Sequence, residues 1–189
     1  GVVMAALAAR FQFTAVSLEG WAWWVLRSSP ITAKEYMWAK LLPGLLPMIL
    51  VGQLLAVAST WILGAGPFLM AVASSTAFFL ALGISGIAIG MGASFPDFKV
   101  DNAARAAAGP AGVLFMVVSL CLVFSVIAIE AYPVYVILAA DVKERAITQG
   151  QWVGVAICFS SAAVLCLTAL MWPVKIGARR LWQRELING

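Results

Sequence analysis

The sequence has no histidine, and only 11% of its 189 residues are charged. The missing histidine excludes histidine-based catalytic triads, metal sites and proton relays from this chain. The three cysteines, Cys121, Cys158 and Cys166, form no Cys-x-x-Cys pair, and we interpret them as small apolar packing residues. No Gly-x-x-x-x-Gly-Lys-[Ser/Thr] run occurs, so the chain has no P-loop for nucleotide phosphates.

The shortage of charge also excludes an ordinary soluble domain. Such a domain carries about 25% charged residues, which cover its surface. Here 63% of the residues are hydrophobic and the mean hydropathy is +1.01. The chain cannot cover itself with polar side chains, so lipid must form part of its solvent.

Three long stretches contain no charge at all: residues 41–96, 106–129 and 146–174. A membrane span needs about 20 mostly apolar residues. The first stretch can hold two helices, because Gly-Ala-Gly-Pro at 64–67 breaks it near the middle. The predicted spans are about 41–63, 67–94, 110–130 and 151–173.

These spans predict an all-α, polytopic transmembrane helix bundle. Residues 1–9 are apolar but too short to cross a membrane, so we interpret them as the tail of a partial N-terminal span. We therefore expect residues 1–189 to form a single transmembrane domain that belongs to a longer protein. A short cytoplasmic interfacial helix at 17–30 and a basic C-terminal tail at 175–186 complete the prediction.

The positions of the cations predict the topology. Ten of the twelve would lie on one side of the membrane, and the positive-inside rule makes that side cytoplasmic. They are Arg10, Arg27, Lys34, Lys40, Lys99, Arg105, Lys175, Arg179, Arg180 and Arg184. We therefore expect a multi-pass protein of the cell membrane with a cytoplasmic C-terminus. The net charge of +4 is explained by this topology, and no nucleic-acid partner is expected.

Local motifs define the cytoplasmic entrance to the first full span. Ser17 is a candidate N-cap, and tryptophans in residues 21–24 favour a helix at the membrane surface. This helix could be a simple anchor or could be offered to a cytoplasmic partner, and composition alone leaves both open. Thr32 and Glu35 have the spacing of a capping box, which predicts a helix beginning at about Ala33.

Within the spans, small and polar residues suggest helix packing. Gly83, Gly86 and Gly90 predict a face where another helix approaches closely. Gln53, a lone glutamine in a span, favours a hydrogen bond between helices over a substrate contact. Asp97 and Asp101 are too few to predict a metal site.

Two groups of short runs resemble type-2 ABC transporter permeases. The first comprises residues 17–20 (SLEG), 26–32 (LRSSPIT) and Lys40 at a span entrance. The second resembles a branch of bacterial ABC exporter permeases and comprises residues 95–98 (FPDF), Asp101, Asn102 and Gly109. Together they cover about residues 12–110. Trp21 departs from the pattern, because the family often has a charged residue there, and this chain shows fewer spans than a usual permease half.

The resemblance implies a transmembrane permease subunit of an ATP-driven exporter in the bacterial inner membrane. Such a subunit is not itself an enzyme and holds no cofactor, since ATP lies on a separate ABC ATP-binding subunit. Membrane lipids and a second permease half or copy are the other partners it implies. The resemblance places the ATPase contact in residues 17–30. The contact residues it implies are Glu19, Gly20, Trp21, Trp23, Arg27 and Pro30.

Two alternatives compete with an exporter. One is a membrane-embedded enzyme, such as a protease or lipid transferase, whose catalytic residues lie in the missing part. Ionisable residues at membrane depth mark such sites, and the predicted spans have only Glu130, at an outer edge. The other is a non-catalytic membrane scaffold.

Overall fold

The computed structural model describes residues 1–19, 28, 30–96, 107–142 and 148–183. Its helices are α1 (Val2–Phe11), α2 (Ala33–Ile62), α3 (Pro67–Ser94), α4 (Pro110–Val142) and α5 (Gln149–Gln183), with 3-10 turns at Phe13–Ala15 and Ser17–Glu19. Across these residues there is no β-strand. Helices α2 to α5 are long and apolar enough to cross a membrane. The predicted all-α bundle with four complete spans is therefore confirmed.

The capping box fixes the start of α2. The Thr32 hydroxyl accepts a hydrogen bond from the Glu35 backbone N–H at 3.3 Å, and the Glu35 carboxylate accepts one from the Thr32 N–H at 2.9 Å. Both bonds satisfy donors that a helix N-terminus otherwise leaves unpaired. The predicted helix start at Ala33 is confirmed.

The turn between α2 and α3 depends on glycine. Gly64 has a φ of 64°, in the left-handed region that glycine adopts at little cost. Its N–H bonds the Trp61 carbonyl at 3.0 Å, and the N–H of Ala65 bonds the Thr60 carbonyl at 3.0 Å. Pro67 then opens α3, where a missing N–H does no harm. The chain reverses in this turn, so α2 and α3 are antiparallel neighbours.

Helix α3 lies at the centre of the bundle. It contacts α1, the first 3-10 turn, α2, α4 and α5, and its contact with α5 is the most extensive. From Leu80 to Ser94 nearly every residue of α3 is buried. The Phe13 ring stacks on Phe115 with centroids 5.5 Å apart, which joins the N-terminal segment to α4.

The outer surface of the bundle is apolar. On α2, Leu42, Leu46, Leu50 and Leu54 recur every four residues and are 58–69% exposed. Residues spaced by four share one helix face, so they form a continuous apolar stripe. A soluble protein rarely exposes such a patch, whereas lipid covers it without cost. This surface agrees with four spans embedded in a membrane.

The last two helices extend beyond the predicted spans. Helix α4 continues without a break from Glu130 through Pro133 to Val142, and α5 runs from Gln149 to Gln183. The predicted limits followed charged residues, but the apolar pattern of α4 continues past Glu130. The basic residues 175–180, assigned above to a tail, belong to the last turns of α5.

Candidate functional site

The predicted contact segment is only partly described. Gly20, Trp21, Trp23 and Arg27 lie outside the described residues. Glu19 ends the 3-10 turn that begins at Ser17, the predicted N-cap, and most of the helix predicted beyond it lies outside the described residues. The aspartates predicted to be too few for a metal site, Asp97 and Asp101, also fall outside the described residues.

Pro30 is exposed and stands two residues before the cap of α2. The predicted contact segment, residues 17–30, therefore connects to the N-terminal end of α2, where Lys34 also lies. This position matters because a large groove opens there.

The groove lies between the first turns of α2 and the last turns of α5. Its volume is about 1070 Å³. Three exposed cations line it: Lys34, Lys175 and Arg179. Its apolar lining includes Met37, Trp38, Met171 and Val174. An apolar floor with a basic rim fits an amphipathic partner segment that carries acidic residues.

Packing and helix chemistry explain the groove. Met37 and Val174 belong to one buried cluster, which fixes the start of α2 against the end of α5. The cations of α5 lie in its last turns, where the helix dipole favours positive charge. Arg180 lies beside the groove with its guanidinium carbon 5.8 Å from the centre of the Phe95 ring. The basic rim is therefore carried by two helices that meet in this buried cluster.

The predicted packing glycines lie where α3 meets α5. A methyl group added at Gly86 would lie 2.7 Å from the Leu170 carbonyl oxygen, and one at Gly90 would lie 2.6 Å from Pro173 Cβ. Both distances are too short for carbon, so only glycine allows the two backbones to come this close. One added at Gly83 would meet Leu122 of α4 at 2.9 Å.

Hydrogen bonds join α2 to the N-terminal half of α3. The Gln53 amide donates to the Ser74 carbonyl at 2.8 Å, and the Ser74 hydroxyl donates to the Gln53 side-chain oxygen. The predicted hydrogen bond between helices at Gln53 is confirmed.

Glu130 forms the other polar link. Thr76 Oγ1 lies 2.8 and 2.7 Å from the two oxygens of the Glu130 carboxyl group. The contact faces a cavity of about 180 Å³ between α3, α4 and α5. The sequence placed Glu130 at the outer edge of a span but did not predict this contact, because two residues separated by 54 positions give no sign of their pairing.

The described residues contain no group of three or more acidic, cysteine or histidine side chains that could hold a metal ion. All three cysteines are free. Cys166 is buried and packs as predicted, Cys158 is half-buried, and Cys121 is exposed on the surface of α4.

A family described as "Putative ATP-binding cassette" matches residues 1–186. The chain belongs to this family. No curated protein and no solved structure matches the chain. The family match supports a relation to ABC transporters, and the four apolar helices are suited to a membrane.

The match corrects the resemblance described above. The family is one of ATP-binding cassettes, so the assignment to type-2 ABC transporter permeases is wrong, as is the exporter permease function drawn from it. The resemblance depended on short runs, and part of them, residues 20–27 and 97–102, lies outside the described residues. High hydropathy is common to many membrane proteins and does not separate these families.

Proposed function

We propose that this chain is a membrane-embedded component of an ATP-binding cassette system and that an ATP-binding subunit docks on the basic groove. The groove between α2 and α5 is the observation that carries the proposal. We assign no permeation role to the four helices. The groove side is taken as cytoplasmic, because cations accumulate on the cytoplasmic ends of spans.

Two further observations support an ATP-binding partner. The family match places the chain in an ATP-binding cassette context. The sequence has no Gly-x-x-x-x-Gly-Lys-[Ser/Thr] run that could cradle nucleotide phosphates. A partner that carries this motif would supply the ATP chemistry, and the chain itself would need no cofactor and no catalytic residue.

The charges indicate how the partner would be recognised. Lys34, Lys175 and Arg179 are exposed around an apolar floor. Exposed charges mainly steer association, while apolar side chains seated in a groove supply most of the affinity. We expect the partner to offer an apolar side chain flanked by carboxylates. Association should then weaken as the salt concentration rises.

Site-specific cross-linking in membranes tests the proposal. A photoreactive residue at Trp38 or Met171 would probe the groove floor, and one at Leu54 would probe the exposed apolar face of α2. We expect the groove positions, and not Leu54, to form a cross-link to a polypeptide whose sequenced peptides include a P-loop. Lys175→Gln with Arg179→Gln should reduce that product at least tenfold, whereas Arg10→Gln, outside the groove, should leave it unchanged.

Two results would contradict the proposal. One is cross-linking of the groove to lipid alone in cells that contain the ATP-binding subunit. The other is stoichiometric ATP binding by the purified chain itself, measured with a fluorescent nucleotide, because this would place the nucleotide site here and not on a partner.

A further inference from the structure

The cavity between α3, α4 and α5 contains one carboxyl group among apolar walls. Glu130 is half-buried and faces the cavity beside Thr76 and Ser75. Phe79, Val126 and Phe159 supply its main apolar lining, and Cys166 closes it from α5. None of the described residues that line the cavity is a cation. Because the apolar helix α4 continues past Glu130, this residue lies within the span and not at its end. A carboxylate at membrane depth is costly unless it is neutralised by a proton or paired with a positive charge.

The Thr76 hydroxyl alone cannot satisfy both the Val72 carbonyl and an ionised Glu130 carboxylate. Thr76 Oγ1 lies 2.9 Å from the Val72 carbonyl oxygen as well as 2.7 Å from Glu130 Oε2. A threonine hydroxyl has a single proton, so it cannot donate fully to both oxygens. If it donates to Val72, the contact with Glu130 requires a proton on the carboxyl group. If it donates to Glu130, the carboxylate retains free lone pairs toward the cavity.

The cavity is large enough for a small organic ligand. At about 180 Å³ it is somewhat larger than a cavity of about 150 Å³ that holds benzene. The described residues also offer no set of three metal ligands. Two phenylalanines line this cavity and can enclose the apolar part of an organic ligand.

We propose that this cavity binds a small organic ammonium ion, with Glu130 pairing the charge and the phenylalanines enclosing the apolar part. The ammonium N–H groups would donate to the free lone pairs of the Glu130 carboxylate, while Thr76 donates to the same group. The site depends on the cavity alone, so it stands or falls independently of partner docking at the groove.

Binding of benzylammonium to the purified chain in lipid nanodiscs tests the proposal. Benzyl alcohol is the neutral control, because it has the same ring and nearly the same size. We expect wild type to bind benzylammonium at least tenfold more tightly than benzyl alcohol. Glu130→Gln should remove this preference, while Glu35→Gln, at the exposed cap of α2, should preserve it.

A second variant guards against misfolding of Glu130→Gln. Ala163→Leu keeps the carboxyl group and fills the cavity from α5, so it should weaken binding of both probes at least tenfold. Three results would overturn the proposal. Wild type would bind both probes with equal affinity, wild type would bind neither probe, or Glu130→Gln and Ala163→Leu would both bind benzylammonium as tightly as wild type.

Discussion

The two halves of α3 hold their neighbours in different ways. The first half, residues 67–79, is largely half-exposed, and side-chain hydrogen bonds at Ser74 and Thr76 join it to other helices. The second half, residues 80–94, is almost wholly buried, and glycines bring its backbone directly against α5. A cavity opens beside the first half, whereas close backbone contact leaves little room beside the second.

The difference shows where this fold is rigid and where it can accept a ligand. In lipid, helices gain little from the hydrophobic effect, so close van der Waals packing is a main source of association. Hydrogen bonds between membrane helices contribute less, about 0.6 kcal/mol on average. We therefore expect the glycine half of α3 to determine stability and the polar half to tolerate change.

The largest expected effect follows from a bulky residue in the glycine half. Gly86→Leu or Gly90→Leu would drive a side chain into the backbone of α5, at a cost of about 1–3 kcal/mol or more. The yield of monodisperse protein in mild detergent should fall sharply. Gly150→Leu is the matched control, since a Cβ there meets nothing within 4 Å. Equal yields for all three variants would show that Gly86 and Gly90 face lipid and not α5.

A smaller effect is expected at Gln53. Gln53→Leu removes the two hydrogen bonds that join α2 to Ser74 and should cost about 0.6–1.7 kcal/mol. Thermal unfolding in detergent measures the loss. A double-mutant cycle with Ser74→Ala isolates the coupling of the two side chains, because that variant keeps the backbone carbonyl to which Gln53 also donates. Ser59→Ala is the control, because that exposed hydroxyl bonds only within its own helix. A coupling energy near zero would show that this pair does not stabilise the bundle.

The smallest effect is expected at Thr76. Thr76→Val keeps the shape of the side chain but removes the hydroxyl that contacts Glu130. The carboxyl group can take a proton instead, so the cost should be about 0.6 kcal/mol or less. The midpoint of thermal unfolding should change less than in Gln53→Leu. A loss as large as that of Gly86→Leu would reverse the proposed ranking of the two halves.

The sequence allowed the bundle to be predicted because its signals were local. The charge-free stretches indicated four spans, and Thr32 with Glu35 predicted the start of α2, as observed. Gln53 was identified as a link between helices, but its partner Ser74 was not.

The candidate sites were beyond sequence reasoning because they depend on helix rotation. Each span is apolar on almost every face, so its pattern does not indicate which side meets a neighbour. The contact of Thr76 with Glu130, and the meeting of Lys34 with Arg179 at one groove, join residues far apart in the chain. The family resemblance misled because its motifs are short and occur in a chain of high hydropathy.

The docking proposal requires that α5 crosses the membrane with its basic end in the cytoplasm. Single cysteines replacing Asp141, at the end of α4, and Gln183, at the end of α5, test this in a background without the three native cysteines. Intact cells would be treated with a membrane-impermeant maleimide and then opened and treated again. We predict that the cysteine at 141 reacts in intact cells and the one at 183 reacts only after the cells are opened. If both cysteines react in intact cells, or if only the cysteine at 183 does, the topology and the docking site derived from it are contradicted.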